Sequence, residues 1–262
     1  AEEPENTTKA FSIPLAAYGA GVNSVAVNNG IVAVAVEADP SQNPGSVVFF
    51  DADGAYLNQV VVGALPDMLI FTPDGSKVLV ANEGEPDDDY AVDPEGSVSI
   101  VDISGGVLDA TVTDVGFEDF NADAAALRDA GVRIFGPGAT VAQDLEPEYI
   151  AVSADSTTAW IACQENNAVA VLDIEAGAIA AIVPLGFKDH SLPGNGLDAN
   201  KNDDLGVVEQ LPIYGMYQPD ALAAFEVDGN TYVISANEGD GREYEGTPGF
   251  VDETDLKDVT LD

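Results

Sequence analysis

Two stretches of this sequence change abruptly from an apolar run to a dense group of carboxylates. The first is Leu79–Glu95, "LVANEGEPDDDYAVDPE", which contains seven acidic residues, and the second is Val233–Gly246, "VISANEGDGREYEG". Both change through the letters A-N-E-G, so Glu83 and Glu238 each follow directly after a strand-like segment. Grouped carboxylate oxygens are typical ligands of hard cations, so these residues indicate a candidate metal site.

Four segments of the chain align around these glutamates and define two sets of equivalent positions. The first set, at the start of an inner strand, is Asn23, Asp67, Glu148 and Asp220. The second set, at the end of the following strand, is Glu37, Glu83, Glu165 and Glu238. Because the start of one strand lies beside the end of the next in an antiparallel hairpin, we expect both sets on one rim of the molecule.

Carboxylates crowded on one rim either raise one another's pKa or recruit cations. Oxygen-only ligands favour Ca²⁺ or Mg²⁺, and a chain with one His and one Cys disfavours Zn²⁺. The alternative is that each glutamate caps the backbone of a neighbouring sheet.

A second candidate cation site is the segment "DANKNDDLGVVE", residues 198–209. Against the EF-hand loop pattern, five residues stand at ligand places: Asp198, Asn200, Asn202, Asp204 and Glu209. Asp203 replaces the glycine of the sixth place and no helices flank the segment, so the pattern predicts at most an isolated Ca²⁺ loop, against a solvated polar loop.

Other residues offer less chemistry. The remaining acidic residues of the first stretch form a third candidate cation group: Glu85, Asp87, Asp88, Asp89, Asp93 and Glu95. Arg242, directly after the second A-N-E-G, is the best-placed cation for a phosphate group. His190 and Ser191 are adjacent in the chain and therefore make an improbable catalytic pair, and no nucleophile motif, P-loop or dinucleotide fingerprint is present.

The elements that must position these residues are short strands in a repeat. Each aligned segment contains two apolar strands joined by a tight turn, with turns at "NNG", "PDG", "ADS" and "VDG", and three of the four continue into third and fourth strands. Four antiparallel strands recurring every forty or so residues predict an all-β fold, a β-propeller of four-stranded blades. A β-sandwich is the competing architecture.

About four blades are expected within residues 1–262, which we interpret as one β-propeller portion whose remaining blades come from the same propeller or another chain. "TKAFSIPLAAYG" is interpreted as the outer strand of an earlier blade. Two insertions interrupt the repeat, at residues 116–145, where Leu127 and Arg128 lie in the best short-helix candidate, and at residues 187–218, a long ordered loop.

Composition limits the partners. Forty-seven acidic residues stand against eight Lys and Arg, for a formal charge of −39, which argues against nucleic acid and suits divalent cations or a halophilic or marine setting. No apolar run is long enough to span a membrane. Cys163 is the single cysteine and is expected to be a buried core residue, while the chain start has neither the basic nor the apolar region of a signal peptide.

Several motifs together resemble the choice-of-anchor I domain family: "GALPDMLIFTPDG", "AALRDAGVRIFGPGATVAQDLEPEYIAVS", "PLGFKDHSLPGNGLDA" and "ANEGDGREY". The resemblance covers essentially the whole chain. It implies an exported or surface propeller-like protein of bacteria or archaea, extracellular, at the cell surface or periplasmic, in a family whose members are sometimes labelled alkaline phosphatase.

Two functions follow as hypotheses. The first is a secreted or cell-surface acidic propeller with a binding or structural role, stabilised by Ca²⁺. The second is a metal-dependent phosphoesterase, in which cations held by the carboxylate ring bridge the phosphate and activate water. Whether the protein is an enzyme is left open by the sequence.

Overall fold

The computed structural model describes residues 9–199, 206–244 and 250–254. It is an all-β structure with several four-stranded antiparallel sheets, as the sequence predicts. Val- and Ile-rich runs form the strands because β-branched side chains pack well on a pleated, buried surface.

Three four-stranded sheets follow one another along the chain, each with its strands in sequence order. Sheet 1 contains β1 (Gly21–Asn28), β2 (Ile31–Glu37), β3 (Pro44–Asp51) and β4 (Tyr56–Ala64). Sheet 2 contains β5 (Pro66–Phe71), β6 (Lys77–Asn82), β7 (Ser97–Asp102) and β8 (Thr111–Val115). Sheet 3 contains β9 (Pro147–Val152), β10 (Thr158–Cys163), β11 (Ala168–Asp173) and β12 (Ala178–Pro184).

The other strands form pairs. The hairpins are β13 (Phe187–Asp189) with β14 (Tyr214–Met216), β15 (Pro219–Val227) with β16 (Asn230–Asn237), and β17 (Glu243–Tyr244) with β18 (Phe250–Val251). The pair β15–β16 occupies the place of a fourth blade in the repeat. The helices are α1 (Ala124–Ala130) and α2 (Val141–Asp144), and the 3₁₀ segments are Val107–Asp109 and Glu118–Asp123.

The predicted turns join the first two strands of each unit. Asn29 and Gly30 both have positive φ, and so do Asp228 and Gly229, which is the backbone of the two-residue type I′ hairpin. In the turn after β3, Asp51 Oδ1 accepts hydrogen bonds from the N–H groups of Asp53 and Ala55. Local turn chemistry therefore sets where each hairpin reverses.

The sheets stack face to face in chain order. β1 contacts β5, β5 and β6 contact β9, and β9 and β10 contact β15. Each junction buries an apolar cluster, such as Phe49 of sheet 1 against Val80 of sheet 2, and Ile100 of sheet 2 against Ile161 of sheet 3. Over the described residues the sheets do not close into a ring, so a closed propeller stays a prediction.

The first insertion contains the predicted short helix, α1, which includes Leu127 and Arg128. It also contains α2, where Thr140 and Gln143 form a reciprocal capping box. The second insertion is not simply a loop, since it contains the hairpin β13–β14. The strand predicted at the front is wrong over residues 9–20, which form no strand. Ile13, Leu15 and Tyr18 instead pack on the outer face of sheet 1.

Cys163 is fully buried and free, as predicted. None of the described helices is long and apolar enough to cross a membrane.

Candidate functional site

A β-bulge opens the first strand of every unit and carries the first set of predicted residues. The pairing register shifts between Val22 and Ser24, between Pro66 and Met68, and between Pro219 and Ala221, which leaves Asn23, Asp67 and Asp220 as the extra residues. In sheet 3, Pro147 pairs with Cys163 and Tyr149 with Ala162, so Glu148 is the extra residue. These four positions are therefore structurally equivalent, and a bulge re-aims the side chain that it carries.

The second set is equivalent in three of its four members. Glu83 and Glu238 each follow a residue, Asn82 or Asn237, that pairs with the proline at the start of the preceding strand. Glu37 holds the corresponding place in sheet 1. In sheet 3 that place belongs to Gln164, which directly follows Cys163, and the expected equivalence of Glu165 is wrong by one residue.

Six acidic residues of the two aligned sets surround one cavity of about 400 Å³, which we call the carboxylate cavity. Its lining includes the predicted residues Asp67, Glu83, Glu148, Glu165, Asp220, Glu238 and Arg242. It also includes residues that the sequence did not single out for it: Glu85, Gln164, Asp240, Glu243 and Tyr244. Gln164 contributes an amide there and donates from Nε2 to Glu238 Oε2 over 3.2 Å.

Other predicted residues lie elsewhere. Glu37 does not line this cavity; its carboxylate accepts from Asn23 Nδ2, which also donates to the carbonyl of Pro66. In the second candidate site, Glu209 forms a backbone bridge with Leu197, and neither Asp198 nor Glu209 lines the carboxylate cavity. Asn200, Asn202 and Asp204 lie outside the described residues.

We call residues 83–95 the first ANEG loop. Its acidic residues do not form one cluster. Glu83 and Glu85 line the cavity, whereas Asp87 Oδ1 accepts from the N–H groups of Ala91 and Val92 and so holds a turn. Asp88 and Asp89 are exposed. Nothing in these contacts tests the prediction of a third cation site.

The first ANEG loop and residues 238–244, the second ANEG loop, meet at the cavity. The rings of Tyr90 and Tyr244 pack edge to face with centroids 5.3 Å apart, and Tyr244 Oη donates to Glu85 Oε1 over 3.2 Å. Sequence reasoning missed this contact, although both loops carry a tyrosine after their acidic residues. Gly84 and Gly239 have positive φ, which is why each loop needs glycine directly after its glutamate.

Arg242 is held in a buried ion-pair network. It is 3% exposed, its Nη1 lies 2.7 Å from Asp144 Oδ1, and its Nε lies 2.8 Å from Glu146 Oε2. Its Nη2 also donates to the backbone carbonyl of Asp144. The guanidinium is therefore already balanced by two carboxylates, and its predicted role in binding phosphate stays a prediction.

The network continues through the first insertion. Arg133 pairs with Asp252 over 2.8 Å, and the guanidinium carbons of Arg133 and Arg242 lie 3.9 and 4.5 Å from the ring centroid of Phe135. Asp144 also accepts from the N–H groups of Phe135 and Gly136. The second ANEG loop is thereby fixed to the segment that leads into β9.

Burial and like charges raise the pKa values around the cavity. Burial raises the pKa of Glu83 well above its usual range, and the charges of Glu85 and Asp67 add to the shift. Burial also raises the pKa of Glu148 far above its usual range, with further contributions from the charge of Glu165 and a hydrogen bond to it. The pKa of Asp67 is also raised, mainly by burial and secondly by the charge of Asp220. The site therefore disfavours its own full ionisation.

Two buried carboxylate oxygens of cavity-lining residues accept no hydrogen bond from a donor group in the described part of the chain. They are Oε1 of Glu148 and Oε2 of Glu165, and Glu165 is only 8% exposed. Buried polar atoms are normally paired, so the two side chains either share a proton, as the hydrogen bond between them requires, or bind a cation in its place. Within the described residues no three His, Cys, Asp or Glu side chains converge closely enough to hold a metal ion as they stand.

The lone histidine has a local role. His190 Nδ1 lies 2.6 Å from the carbonyl oxygen of Asn195, within the second insertion. Ser191 bonds instead to Asp189 Oδ1, so the two adjacent residues do not face each other as a catalytic pair.

The chain matches a known protein family over its whole length. The family model of the choice-of-anchor I domain matches residues 1–262, the whole chain. A search of curated proteins found no match.

Solved structures with similar folds include hydrazine synthase from Kuenenia stuttgartiensis, at 14% identity and a TM-score of 0.46, covering 81% of this chain and 57% of that one. The Cps50 (Swd1) β-propeller domain from Myceliophteria thermophila has 14% identity and a TM-score of 0.39, covering 63% of this chain and 42% of that one. The computationally designed Ika8 protein has 12% identity and a TM-score of 0.41, covering 82% and 46%. The chain thus spans less than two thirds of each of these structures, and scores this low carry no argument about function.

Proposed function

The chain belongs to the choice-of-anchor I domain family, which marks a surface-anchored or exported protein. We propose that it is part of an acidic β-propeller with a binding or structural role. We further propose that this propeller holds Ca²⁺ in the carboxylate cavity. Extracellular, cell-surface and periplasmic locations all suit this role. Further blades, from the same propeller or another chain, would complete the ring. The stacking of sheets 1 to 3 and the hairpin β15–β16 in chain order supports the propeller.

One observation carries the cation proposal: Glu148 and Glu165 lie within hydrogen-bonding reach of each other beside a cavity whose side chains are mostly acidic, and neither Glu148 Oε1 nor Glu165 Oε2 accepts from a donor group of the described residues. A buried carboxylate without a partner is costly, and the neighbouring charges raise that cost. Arg242 does not relieve it, because Asp144 and Glu146 already balance its charge. A divalent cation would supply the missing positive charge and accept both free oxygens.

The ligand set favours Ca²⁺ over Mg²⁺. Ca²⁺ takes six to eight oxygens in flexible geometry, whereas Mg²⁺ demands a near-ideal octahedron and keeps several waters. The cavity offers carboxylates from different sheets, together with the amide of Gln164, in a space of about 400 Å³. Side-chain rotations would be needed to bring three or more of these groups onto one ion, which suits the more tolerant cation.

Calcium titration of the 262-residue chain tests this proposal. We expect saturable Ca²⁺ binding by calorimetry and a rise in the unfolding midpoint, since a ligand at 100 times its Kd stabilises the native state by about 2.7 kcal/mol. The paired substitution Glu148→Gln with Glu165→Gln should weaken binding at least tenfold.

Glu37→Gln is the matched control, because Glu37 holds an equivalent strand end but does not line the cavity. Equal weakening by Glu37→Gln, or no Ca²⁺ binding at millimolar concentration, would contradict the proposal.

The phosphoesterase hypothesis gains no comparable support. Its phosphate ligand was Arg242, and the charge of that residue is already paired inside the protein. Hydrolysis of p-nitrophenyl phosphate in the presence of Ca²⁺, lost in Glu83→Gln and Glu238→Gln, would revive it.

A further inference from the structure

The strand β16 has one unpaired edge in the described part of the chain. In sheets 1 to 3 the second strand pairs on both sides, as β6 does with β5 and β7. β16 pairs with β15 alone, and every residue of β16 is exposed. An open strand edge presents free N–H and C=O groups that can accept another strand.

An apolar groove of about 250 Å³ lies beside this edge, between sheet 3 and the hairpin β15–β16. Its lining includes Trp160, Val169, Val171, Leu222 and Val233. At the equivalent place between sheets 2 and 3, Ala170 and Leu172 of the third strand β11 are buried in the apolar cluster. The groove therefore lies where the side chains of a third strand would pack.

The neighbouring sheets define the register of that strand. In sheet 2 the third strand begins opposite Asn82 and ends with Asp102 opposite Lys77, and in sheet 3 it begins opposite Cys163 and ends with Asp173 opposite Thr158. Asn237 corresponds to Asn82, since both pair with a strand-opening proline. The same register places a six-residue strand opposite Tyr232–Asn237. Its third residue would lie opposite Ser235 and its fifth opposite Val233. Since Ser235 and Val233 line the groove, these two residues would point into it.

We propose that the free edge of β16 and this groove form an acceptor for one antiparallel β-strand, supplied by a further segment of the propeller. This deepens the proposed function and rests on its propeller architecture. The strand resembles "SVSIVD" of β7 and "AVAVLD" of β11: a small third residue, a larger apolar fifth residue in the groove, and a terminal Asp. Backbone pairing supplies affinity and the groove supplies selectivity, as in strand-addition complexes.

A second copy of this chain is a poorer occupant of the same edge. Pairing two β16 edges would bring together two chains that each carry a formal charge of −39. A short strand with a single Asp avoids most of that repulsion.

A labelled peptide with the sequence of residues 166–175, "NNAVAVLDIE", tests the proposal by fluorescence anisotropy with the 262-residue chain in EDTA. We expect saturable binding that falls at least tenfold when the Leu of the peptide is replaced by Asp, or when its backbone is N-methylated at the pairing positions. Measurement in EDTA separates the two proposals, since a chain that fails to bind Ca²⁺ should still bind the peptide.

Two variants of the protein provide a matched pair. Val233→Asp places a charge in the groove and should weaken binding of the peptide at least tenfold. Ile234→Asp, on the other face of the same strand, should weaken binding less. Both side chains are exposed, at 38% and 60%, so the fold should tolerate either change. No peptide binding, equal loss in both variants, or a concentration-dependent dimer that Val233→Asp dissolves would overturn the proposal.

Discussion

Replacing Arg242 by Met should destabilise the protein strongly. The change removes three charge-assisted hydrogen bonds, of 2.7, 2.8 and 2.7 Å, and leaves Asp144 and Glu146 at 1% and 2% exposure without their cation. Removing one partner of a buried ion pair costs about 3–5 kcal/mol, because the remaining charge stays buried. With a urea dependence of about 3 kcal/mol per molar, the unfolding midpoint should fall by about 1–1.7 M.

The loss should fall mainly on Glu146. Asp144 keeps two backbone donors, Phe135 and Gly136, which lie 2.8 and 2.6 Å from its oxygens. No other side-chain donor is recorded for the Glu146 carboxylate in the described part of the chain, and burial already raises its pKa well above the usual range. A second substitution, Glu146→Met, should therefore restore more of the lost stability than Asp144→Asn does.

The assay is urea unfolding followed by tryptophan fluorescence, with Lys77→Met as the control. Lys77 pairs with Asp102 over 3.5 Å at a partly exposed site, and exposed pairs contribute about 0–1 kcal/mol. A loss below 1 kcal/mol for Arg242→Met, a loss as large for Lys77→Met, or a better rescue by Asp144→Asn would refute the reasoning.

Three further outcomes are expected. Burial raises the pKa of Asp93 to about 6 from an unfolded value of 3.8, so this group favours the native state below pH 3.8, and that contribution is lost as pH rises from 3.8 through 6; thermal unfolding between pH 4 and 7 should show a shallower decline in Asp93→Asn. Gly84→Ala should cost more stability than Gly239→Ala in urea unfolding, because both have positive φ but only at Gly84 would a Cβ meet backbone, the carbonyl of Glu95 at 2.9 Å. Cys163, fully buried with a pKa raised by burial, should react with a thiol reagent only after unfolding; rapid labelling of the native chain would contradict its placement.

Much of the fold could be predicted because its signals are local. The turns at Asn29-Gly30 and Asp228-Gly229 need residues that accept positive φ, and those residues are visible in the sequence. The equivalence of Asp67, Glu148 and Asp220 also followed from aligning the repeats. The outer strand expected at the front failed because an apolar run such as "FSIPLAAYG" can pack on a sheet face without pairing.

The site was predicted less completely, for two physical reasons. Aligning the units on their terminal Glu placed Glu165 at the position equivalent to Glu83. The strand register, which depends on backbone pairing, shows that Gln164 holds this position. The contacts of Arg242 with Asp144 and Glu146 join residues 98 and 96 positions apart, and no local pattern signals such a pairing.

The bulge at the start of each first strand separates two demands on the sequence. The strand beyond it must supply apolar side chains for the packing between sheets, whereas the bulged residues Asp67, Glu148 and Asp220 line the carboxylate cavity. A single substitution at Asp67, Glu148 or Asp220 can therefore alter the charge of the carboxylate cavity while the apolar packing between sheets stays the same. The repeat can thus vary the charge of its cavity one sheet at a time, while the packing that holds the sheets together is unchanged.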